Sequence, residues 1–272
     1  MNRKPKIGIA LGAGSARGWA HIGVLRTLEQ IGIRPQIVCG TSIGALVGAV
    51  YAAQKLDVLE KWVLDLTWRR VLGFFDVSFN GGFLKGAKLT AFLQDNLLEH
   101  TMADLSVPFA AVATDLRTGN EIWLREGRVV DAVRASIALP GLFTPAELDG
   151  RLLVDGALVN PVPVSLCRAM GADIVIGVDL AARMTGLQSR DWQAHAEESG
   201  QPSMIEVITE SINIMQIRIT RSRLAGEPAD VMIAPMPGDL GLLDYHRAAE
   251  SIREGHAAAQ AALPQLRQLL QV

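Results

Sequence analysis

The chain has 272 residues, of which 49% are hydrophobic, and a formal net charge of −2. That length is enough to bury a large core, and α/β folds of this size often form one unit, so we predict a single domain over residues 1–272. The nearly balanced charge argues against nucleic-acid binding. The sequence has no run of 18 uncharged apolar residues, the length that predicts a transmembrane helix.

Apolar runs alternate with helical patterns along the chain. We predict strands at 7–11, 36–39, 108–114, 121–125, 152–155, 174–178 and 231–234. Helices are predicted at 18–30, 43–54, 57–68, 88–98, 129–137, 163–170 and 246–262. Such alternation is typical of a largely parallel sheet between helical layers. The predicted fold class is therefore three-layer α/β/α with a mainly parallel central sheet.

The two cysteines, Cys39 and Cys167, lie in apolar runs and do not have the spacing of metal ligands. We expect two buried free thiols in a reducing compartment, and the sequence indicates neither a metal nor a cofactor. The basic residues at positions 3, 4 and 6 precede an apolar run of only five residues, which is too short for a signal peptide. The prediction is a cytoplasmic protein.

A glycine-rich loop, Gly12-Ala13-Gly14-Ser15-Ala16-Arg17-Gly18, connects the first predicted strand to the first predicted helix. Such a loop directs successive backbone N–H groups into one space and suits an anion. The dinucleotide fingerprint needs two residues between its last glycines, whereas three separate Gly14 from Gly18, and the Walker lysine is absent. The loop therefore does not match either sequence pattern of a nucleotide phosphate site. The oxyanion of a tetrahedral acyl intermediate and a purely structural tight turn are the other two interpretations.

The second predicted strand leads into Gly40-Thr41-Ser42-Ile43-Gly44, followed by a helix rich in small residues. A G-x-S-x-G sequence at a strand-to-helix turn is the nucleophile elbow. Gly40 and Gly44 leave room for the sharp bend that projects the serine hydroxyl from the sheet. At the helix N-terminus, unpaired N–H groups and the helix dipole favour negative charge. The pattern therefore makes Ser42 a candidate nucleophile.

An aspartate ends a later apolar run, Leu152-Leu153-Val154-Asp155-Gly156-Ala157. Asp-Gly is a common hairpin turn, and by itself this pair would favour that interpretation. Together with the elbow and the glycine loop, the position of Asp155 at a strand end instead favours a catalytic carboxylate.

These three segments resemble the bacterial branch of the patatin-like phospholipase family. Further blocks of the same kind occur in order along the chain, at Ala113-Thr114-Asp115, at Arg134-Ala135-Ser136-Ile137-Ala138-Leu139-Pro140-Gly141 and at Ala229-Asp230-Val231-Met232-Ile233-Ala234-Pro235. The resemblance covers nearly the whole chain and is more specific than any single motif.

The resemblance implies a serine hydrolase that cleaves lipid or other acyl esters with a Ser–Asp dyad. Ser42 is then the nucleophile and Asp155 its base. The backbone N–H groups of Gly12, Ala13, Gly14 and Ser15 form the oxyanion hole, and Arg17 and Gly18 support that loop. The expected partner is an acyl ester or phospholipid substrate. Many members have glycine where this chain has Ala13, which adopts positive φ less easily.

A Ser–His–Asp triad is an alternative, because Ser42, Asp155 and His246 occur in the chain order of the α/β-hydrolases. Only about two strands precede Ser42, however, and that fold places its elbow later. We predict His246 to lie on the surface of a polar helix, and His21 to be a packing or capping residue.

Two segments interrupt the pattern. Residues 68–86 concentrate aromatic residues among glycines, which is typical of a loop packed on the core or of a mobile cover over an acyl-chain site. Residues 182–203 are polar, and we predict a flexible loop.

A helix is predicted at 203–224, with Ile212 and Met215 on its apolar face. Core packing and a homo-oligomer contact are both open for that face. The arginines at 218, 221 and 223 suit the helix C-terminus, and an anionic membrane surface is the alternative partner. A regulatory protein on the same fold, an acyltransferase and a thioesterase are the alternatives to a hydrolase.

Overall fold

The computed structural model describes residues 4–69, 95, 101–182, 204–236, 240–241 and 243–270. In this part of the chain, eight strands form one sheet. They are β1 (Ile7–Leu11), β2 (Ile37–Thr41), β3 (Phe109–Asp115), β4 (Glu121–Leu124), β5 (Ala146–Leu148), β6 (Arg151–Asp155), β7 (Ile174–Val178) and β8 (Val231–Ile233).

Five of these strands run in parallel, in the order β8-β7-β1-β2-β3. The remaining three are antiparallel additions: β4 and β6 pair with β3, and β5 pairs with β6. The sheet is therefore mixed and mainly parallel. The carboxyl ends of β1, β2 and β3 lie at the same edge, which is where ligand sites of open α/β sheets form.

Seven helices complete the described structure. They are α1 (Ala20–Gln30), α2 (Ile43–Ala52), α3 (Leu56–Leu64), α4 (Val129–Ser136), α5 (Val164–Ala169), α6 (Met204–Gly226) and α7 (Ala248–Leu270). The segment predicted to begin the first helix at residue 18 instead forms a short 3₁₀ turn, Ser15–Trp19, before α1. The last helix begins near its predicted start and extends past Pro264.

The helices cover both faces of the sheet. Alternate residues of β1 point to opposite sides: Ile9 and Leu11 belong to a large apolar cluster with α1, α2, α3, α4 and α7. Ala10 belongs to a smaller cluster with α5, and Leu224 of α6 packs at its margin. Burial on both faces explains why the central strands are continuous apolar runs rather than alternating ones. The predicted three-layer α/β/α class is confirmed.

The middle strand β3 has two partners on a single edge. β4 pairs with residues 111–114 of β3, while β2 pairs with residues 109–112 and β6 with 113–115. Because a strand has two edges, β2 and β6 share the edge opposite β4. Thr41 at the end of β2 is level with Val112, and Asp155 at the end of β6 is level with Ala113. The carboxyl ends of β2 and β6 therefore face each other along this edge of β3.

The strand β5 was not among those predicted from the sequence. It pairs with β6 through a two-residue turn at Asp149 and Gly150, whose φ values are 50° and 73°, the left-handed pair that a type I′ hairpin needs. The hairpin turn of this region is therefore Asp149-Gly150, and Asp155-Gly156 instead opens a 3₁₀ turn.

The long helix α6 lies where it was predicted, but the residues of its apolar face differ in burial. Ile212 and Ile217 are buried in the core, whereas Met215 is 47% exposed. Ile212 therefore packs in the core, as one of the two predictions for this face states. The other prediction, a homo-oligomer contact, is kept for Met215. Three predicted segments lie largely outside the described residues. They are the cover loop (residues 70–86 of 68–86), the flexible loop (183–203 of 182–203) and the helix 88–98, of which only residue 95 is described.

Candidate active site

Ser42 occupies a sharp turn between β2 and α2. Its backbone angles are φ 57° and ψ −124°, a conformation that is strained for a residue with a side chain. The flanking glycines make the turn possible. A Cβ atom on Gly40 would lie 2.4 Å from the Gly44 carbonyl oxygen, and one on Gly44 would lie 2.1 Å from the Leu11 carbonyl oxygen. The G-x-S-x-G segment therefore has the geometry of a nucleophile elbow.

The Ser42 hydroxyl donates a hydrogen bond of 2.6 Å to Asp155 Oδ2. The other carboxylate oxygen accepts the Ala157 N–H at 2.8 Å. Asp155 is almost completely buried, and this burial raises the pKa of its carboxyl to about 7, against the opposing effect of the two hydrogen bonds. A carboxyl with this pKa is a stronger base than a free aspartate, whose pKa is about 3.9.

Buried groups hold the main chain of both residues. The Ser42 N–H donates to Ser136 Oγ at 2.9 Å. The Asp155 N–H donates to the Ala138 carbonyl at 3.0 Å, and the Asp155 carbonyl accepts the Thr114 hydroxyl at 2.8 Å. The main-chain positions of Ser42 and Asp155 are thus set by β3 and by the segment that ends α4.

The glycine loop lies directly against the elbow. A Cβ atom on Gly18 would lie 2.2 Å from the Ile43 side chain, so only glycine permits this approach. The N–H groups of Gly12 and Ala13 already donate to main-chain carbonyls, at 3.0 and 2.9 Å. Among the hydrogen bonds of the described residues, none uses the N–H of Gly14 or Ser15. These two amides are the donors that an anion could engage.

Arg17 ties the loop to the region before the last helix. Its Nε donates to the Leu240 carbonyl at 3.1 Å, and its own carbonyl accepts the Ser251 hydroxyl at 2.9 Å. Burial lowers the pKa of its guanidinium to about 10, and the nearby Glu210 and Asp244 oppose that shift. This position is compatible with the expected support of the loop.

Known proteins resemble the chain in sequence and in fold. A sequence model of the patatin-like phospholipase family matches residues 9–168. An uncharacterized NTE family protein of Mycobacterium tuberculosis is 31% identical, over 95% of this chain and 91% of the relative. The chain belongs to the patatin-like phospholipase family.

Two other known proteins match this patatin-like chain over part of their own length. Patatin-like phospholipase domain-containing protein 7 of Rattus norvegicus is 34% identical over 65% of this chain, which corresponds to 14% of the relative. The crystal structure of VipD from Legionella pneumophila superposes with a TM-score of 0.51 at 13% identity, over 96% of this chain and 67% of VipD. That likeness shows the shared fold.

Ala13 departs from the glycine of many patatin-like proteins without strain. It is not among the residues with positive φ; in this loop the left-handed conformation falls on Ser15, with φ 53°. An alanine is therefore compatible with the backbone that the structure shows here.

Among the described residues of this patatin-like chain, no histidine is hydrogen bonded to Ser42 or Asp155. His21 is completely buried, and its Nε2 donates to the Gly12 carbonyl at 2.8 Å. Burial lowers the pKa of His21 to about 4, so the ring is neutral at pH 7. His246 is exposed. The Asp155 carboxylate, which a triad would pair with a histidine, is hydrogen bonded to Ser42 and Ala157.

Two residues near the site, Tyr245 and Ser136, had no role predicted from the sequence. Tyr245 places its hydroxyl 2.7 Å from Ser15 Oγ, 230 residues away along the chain. No local pattern indicates such a contact. Ser136 lies in a block that resembles the family, which was the available signal.

No cluster of metal-ligating side chains occurs in the part of the chain that the structure describes. Within the same residues, none of the helices combines the length and the apolar character that a membrane crossing requires.

Proposed function

We propose that this protein is a serine acyl hydrolase that cleaves lipid or related acyl esters, with Ser42 as nucleophile and Asp155 as general base. The observation that carries the proposal is the 2.6 Å hydrogen bond from the strained elbow serine to the buried carboxylate. Membership of the patatin-like phospholipase family supports a lipid acyl hydrolase activity in general.

Asp155 has the properties that a general base needs. It accepts the Ser42 proton directly, and its raised pKa, about 7, lets it take that proton more readily than a free carboxylate would. The hydrogen bond from Ala157 to the second oxygen fixes the orientation of the carboxylate. No further group has to relay the proton.

The Gly14 and Ser15 amides are the proposed oxyanion donors. Both are without a hydrogen-bond partner among the described residues, and the loop that carries them packs on Ile43 and Gly44, directly after the nucleophile. The assignment narrows the four amides of the sequence prediction to two. Loss of one such donor in comparable enzymes costs about 3 kcal/mol of transition-state stabilisation.

Two half-reactions follow. Ser42 Oγ forms a bond to the acyl carbon while its proton passes to Asp155, and the carbonyl electrons move to the oxyanion. Collapse of this intermediate breaks the ester C–O bond, and Asp155 returns the proton to the leaving alkoxide as alcohol. Water then attacks the acyl-enzyme, Asp155 takes its proton, and that proton is returned to Ser42 as the fatty acid leaves.

The substrate class is an acyl ester of a lipid, including phospholipid. Contact with a membrane surface, self-association and a cytoplasmic location stay predictions that accompany this proposal.

Labelling with a fluorescent fluorophosphonate tests the proposal, together with hydrolysis of an acyl-ester series of increasing chain length in mixed micelles. Wild type is compared with Ser42→Ala and Asp155→Asn. The matched control is Asp115→Asn, which changes another strand-end carboxylate, one that caps the turn after β3 through Arg117 and Thr118.

We expect labelling to disappear in Ser42→Ala, turnover to disappear in both dyad variants, and Asp115→Asn to retain activity. Melting temperatures of all variants establish that each is folded. Folded wild type that neither reacts with the probe nor hydrolyses any ester would overturn the proposal and favour a regulatory protein on this fold.

A further inference from the structure

We propose that Ser136 is a positioning residue for the nucleophile, and that its buried hydroxyl holds the main-chain N–H of Ser42 in the elbow conformation. This inference rests on the proposed function, because it concerns the same serine. It adds to the site a residue from α4, which contributes neither the dyad nor the glycine loop.

The Ser136 hydroxyl donates one hydrogen bond and accepts another. It donates to the Val112 carbonyl at 2.6 Å and accepts the Ser42 N–H at 2.9 Å. Ser136 is completely buried, so water cannot replace either bond. Because the proton points to Val112, the oxygen lone pairs are left to face Ser42.

The Ser42 N–H needs this acceptor. Ser42 turns away from the strand at φ 57°, and an α-helix provides no carbonyl for the N–H groups at its own start. A buried N–H without a partner is rare because it is costly. The Ser136 hydroxyl supplies the missing acceptor and thereby stabilises a backbone conformation that is unfavourable for serine.

The same segment also holds the base. Two residues after Ser136, the Ala138 carbonyl accepts the Asp155 N–H at 3.0 Å. The end of α4 is thus tied to the main chain of both dyad residues, across 94 residues of sequence in the case of Ser42. A purely structural role, in which Ser136 only fastens α4 to β3, would affect stability and leave the catalytic constants unchanged.

The test compares kcat, KM and Tm of wild type, Ser136→Cys and Ser136→Ala. The matched control is Thr27→Val, which removes another buried hydroxyl of similar size, one bonded to His256 at 2.9 Å between α1 and α7. We expect Ser136→Ala to lower kcat about 10- to 100-fold, as small misplacements of reacting groups do, with KM within about twofold. Ser136→Cys, a poorer acceptor, falls between wild type and Ser136→Ala. Thr27→Val lowers Tm without changing kcat.

A second readout is independent of turnover. Thr41-Ser42 is the only Thr-Ser pair in the sequence, so carbonyl-¹³C threonine combined with ¹⁵N serine selects the Ser42 amide in an NMR spectrum. We expect slow hydrogen exchange of this amide in wild type and faster exchange in Ser136→Ala. If Ser136→Ala does not fold, the inference is tested by the kcat of Ser136→Cys and by the hydrogen-exchange rate of the Ser42 amide in wild type.

Wild-type kcat in a folded Ser136→Ala, or rapid exchange of the Ser42 amide in wild type, would overturn the inference. These results differ from failure of the proposed function, in which wild type itself shows no turnover and no labelling of Ser42.

Discussion

The hydroxyl of Tyr245 lies 2.7 Å from the Ser15 hydroxyl, although the two residues are 230 positions apart. The tyrosine ring packs edge-on against Trp19, with centroids 5.9 Å apart, and the Tyr245 carbonyl accepts the Trp19 indole N–H at 3.2 Å. Both ends of the 3₁₀ turn Ser15–Trp19, which forms the second half of the glycine loop, thus contact one tyrosine. The loop that carries the proposed oxyanion donors is braced by the start of the last helical segment.

Removing only the tyrosine hydroxyl should therefore weaken catalysis more than folding. In Tyr245→Phe the ring contact with Trp19 persists, while Ser15, at φ 53°, loses its hydrogen bond. A hydrogen bond of this kind contributes about 1 kcal/mol. If all of that energy is lost from the transition state, kcat/KM falls about fivefold, and this is the decrease that we expect. The matched control is Tyr51→Phe, which alters the other tyrosine of the chain. Equal kcat/KM in Tyr245→Phe and wild type would contradict the prediction.

The rate of ester hydrolysis should depend on pH through Asp155. As the proposed base, Asp155 has to be deprotonated, and burial raises the pKa of its carboxyl to about 7. We expect kcat/KM to fall about tenfold for each pH unit below 7 and to level off above it. The measurement uses an alkyl ester whose leaving group does not titrate, with Tm followed at each pH. A profile that stays flat from pH 5 to pH 8 would rule out Asp155 as the titrating base.

The same carboxyl should make the fold less stable as pH rises. Its pKa is about 7 in the folded chain and about 3.9 unfolded, so between these values the folded state binds more protons and the free energy of unfolding falls with increasing pH. The cost reaches about 4 kcal/mol above pH 7, from about 1.36 kcal/mol per unit. Asp155→Asn, which has no charge to bury, should exceed wild type in stability at pH 8 by up to that amount.

Denaturant titrations at pH 4 and pH 8 measure this difference. The advantage of Asp155→Asn should nearly vanish at pH 4, where the carboxyl of folded wild type is protonated and that of the unfolded chain, with a pKa of about 3.9, is only about half ionised. His21, whose pKa burial lowers to about 4, acts in the opposite direction, but it does so in both proteins and cancels from the difference. An Asp155→Asn protein that is less stable than wild type at pH 8 would show that the hydrogen bonds outweigh desolvation.

The contact between the elbow and the first loop should not tolerate an added methyl group. A Cβ on Gly44 would lie 2.1 Å from the Leu11 carbonyl oxygen and 2.8 Å from that of Gly12, and both are main-chain atoms that cannot rotate away. We expect Gly44→Ala to lose about 2 kcal/mol or more of stability and to lose activity, because it displaces the glycine loop. Gly226→Ala is the control, since nothing lies within 4 Å of its Cβ position. It should change stability by about 0.5 kcal/mol at most, and equal Tm values for the two variants would contradict the geometry.

The turn at Ser42 could be predicted from the sequence because the residues that determine its conformation are close together in the chain. A buried strand, two glycines around Ser42 and a helix of small residues occupy adjacent positions, and the structure places them as expected. The core strands were predictable for the same reason: burial on both faces leaves an apolar run. The short strand β5 was not, since three half-exposed residues carry little signal and their Asp149-Gly150 turn identifies a hairpin only once β6 is known.

The two oxyanion donors that we propose in the glycine loop could not be singled out from the sequence. Counting amides gives four candidates, but the N–H of Gly12 is taken by the Val178 carbonyl and that of Ala13 by the Pro161 carbonyl. These acceptors come from segments more than 140 positions away in the sequence, and no spacing rule connects them to the loop. The Ser136 hydroxyl, 94 residues from Ser42, was beyond local patterns in the same way.

The shared edge of β3 determines when, during synthesis of the chain, the proposed nucleophile and its proposed base can meet. Ser42 and Asp155 are 113 residues apart, and they meet because β2 and β6 abut on one strand. A growing chain exposes the serine long before its partner has been synthesised, and without that carboxylate the hydroxyl is an ordinary alcohol. If Ser42 is the nucleophile that we propose, its activation therefore requires the completed sheet, and a nascent or half-folded chain lacks the carboxylate that would activate the serine.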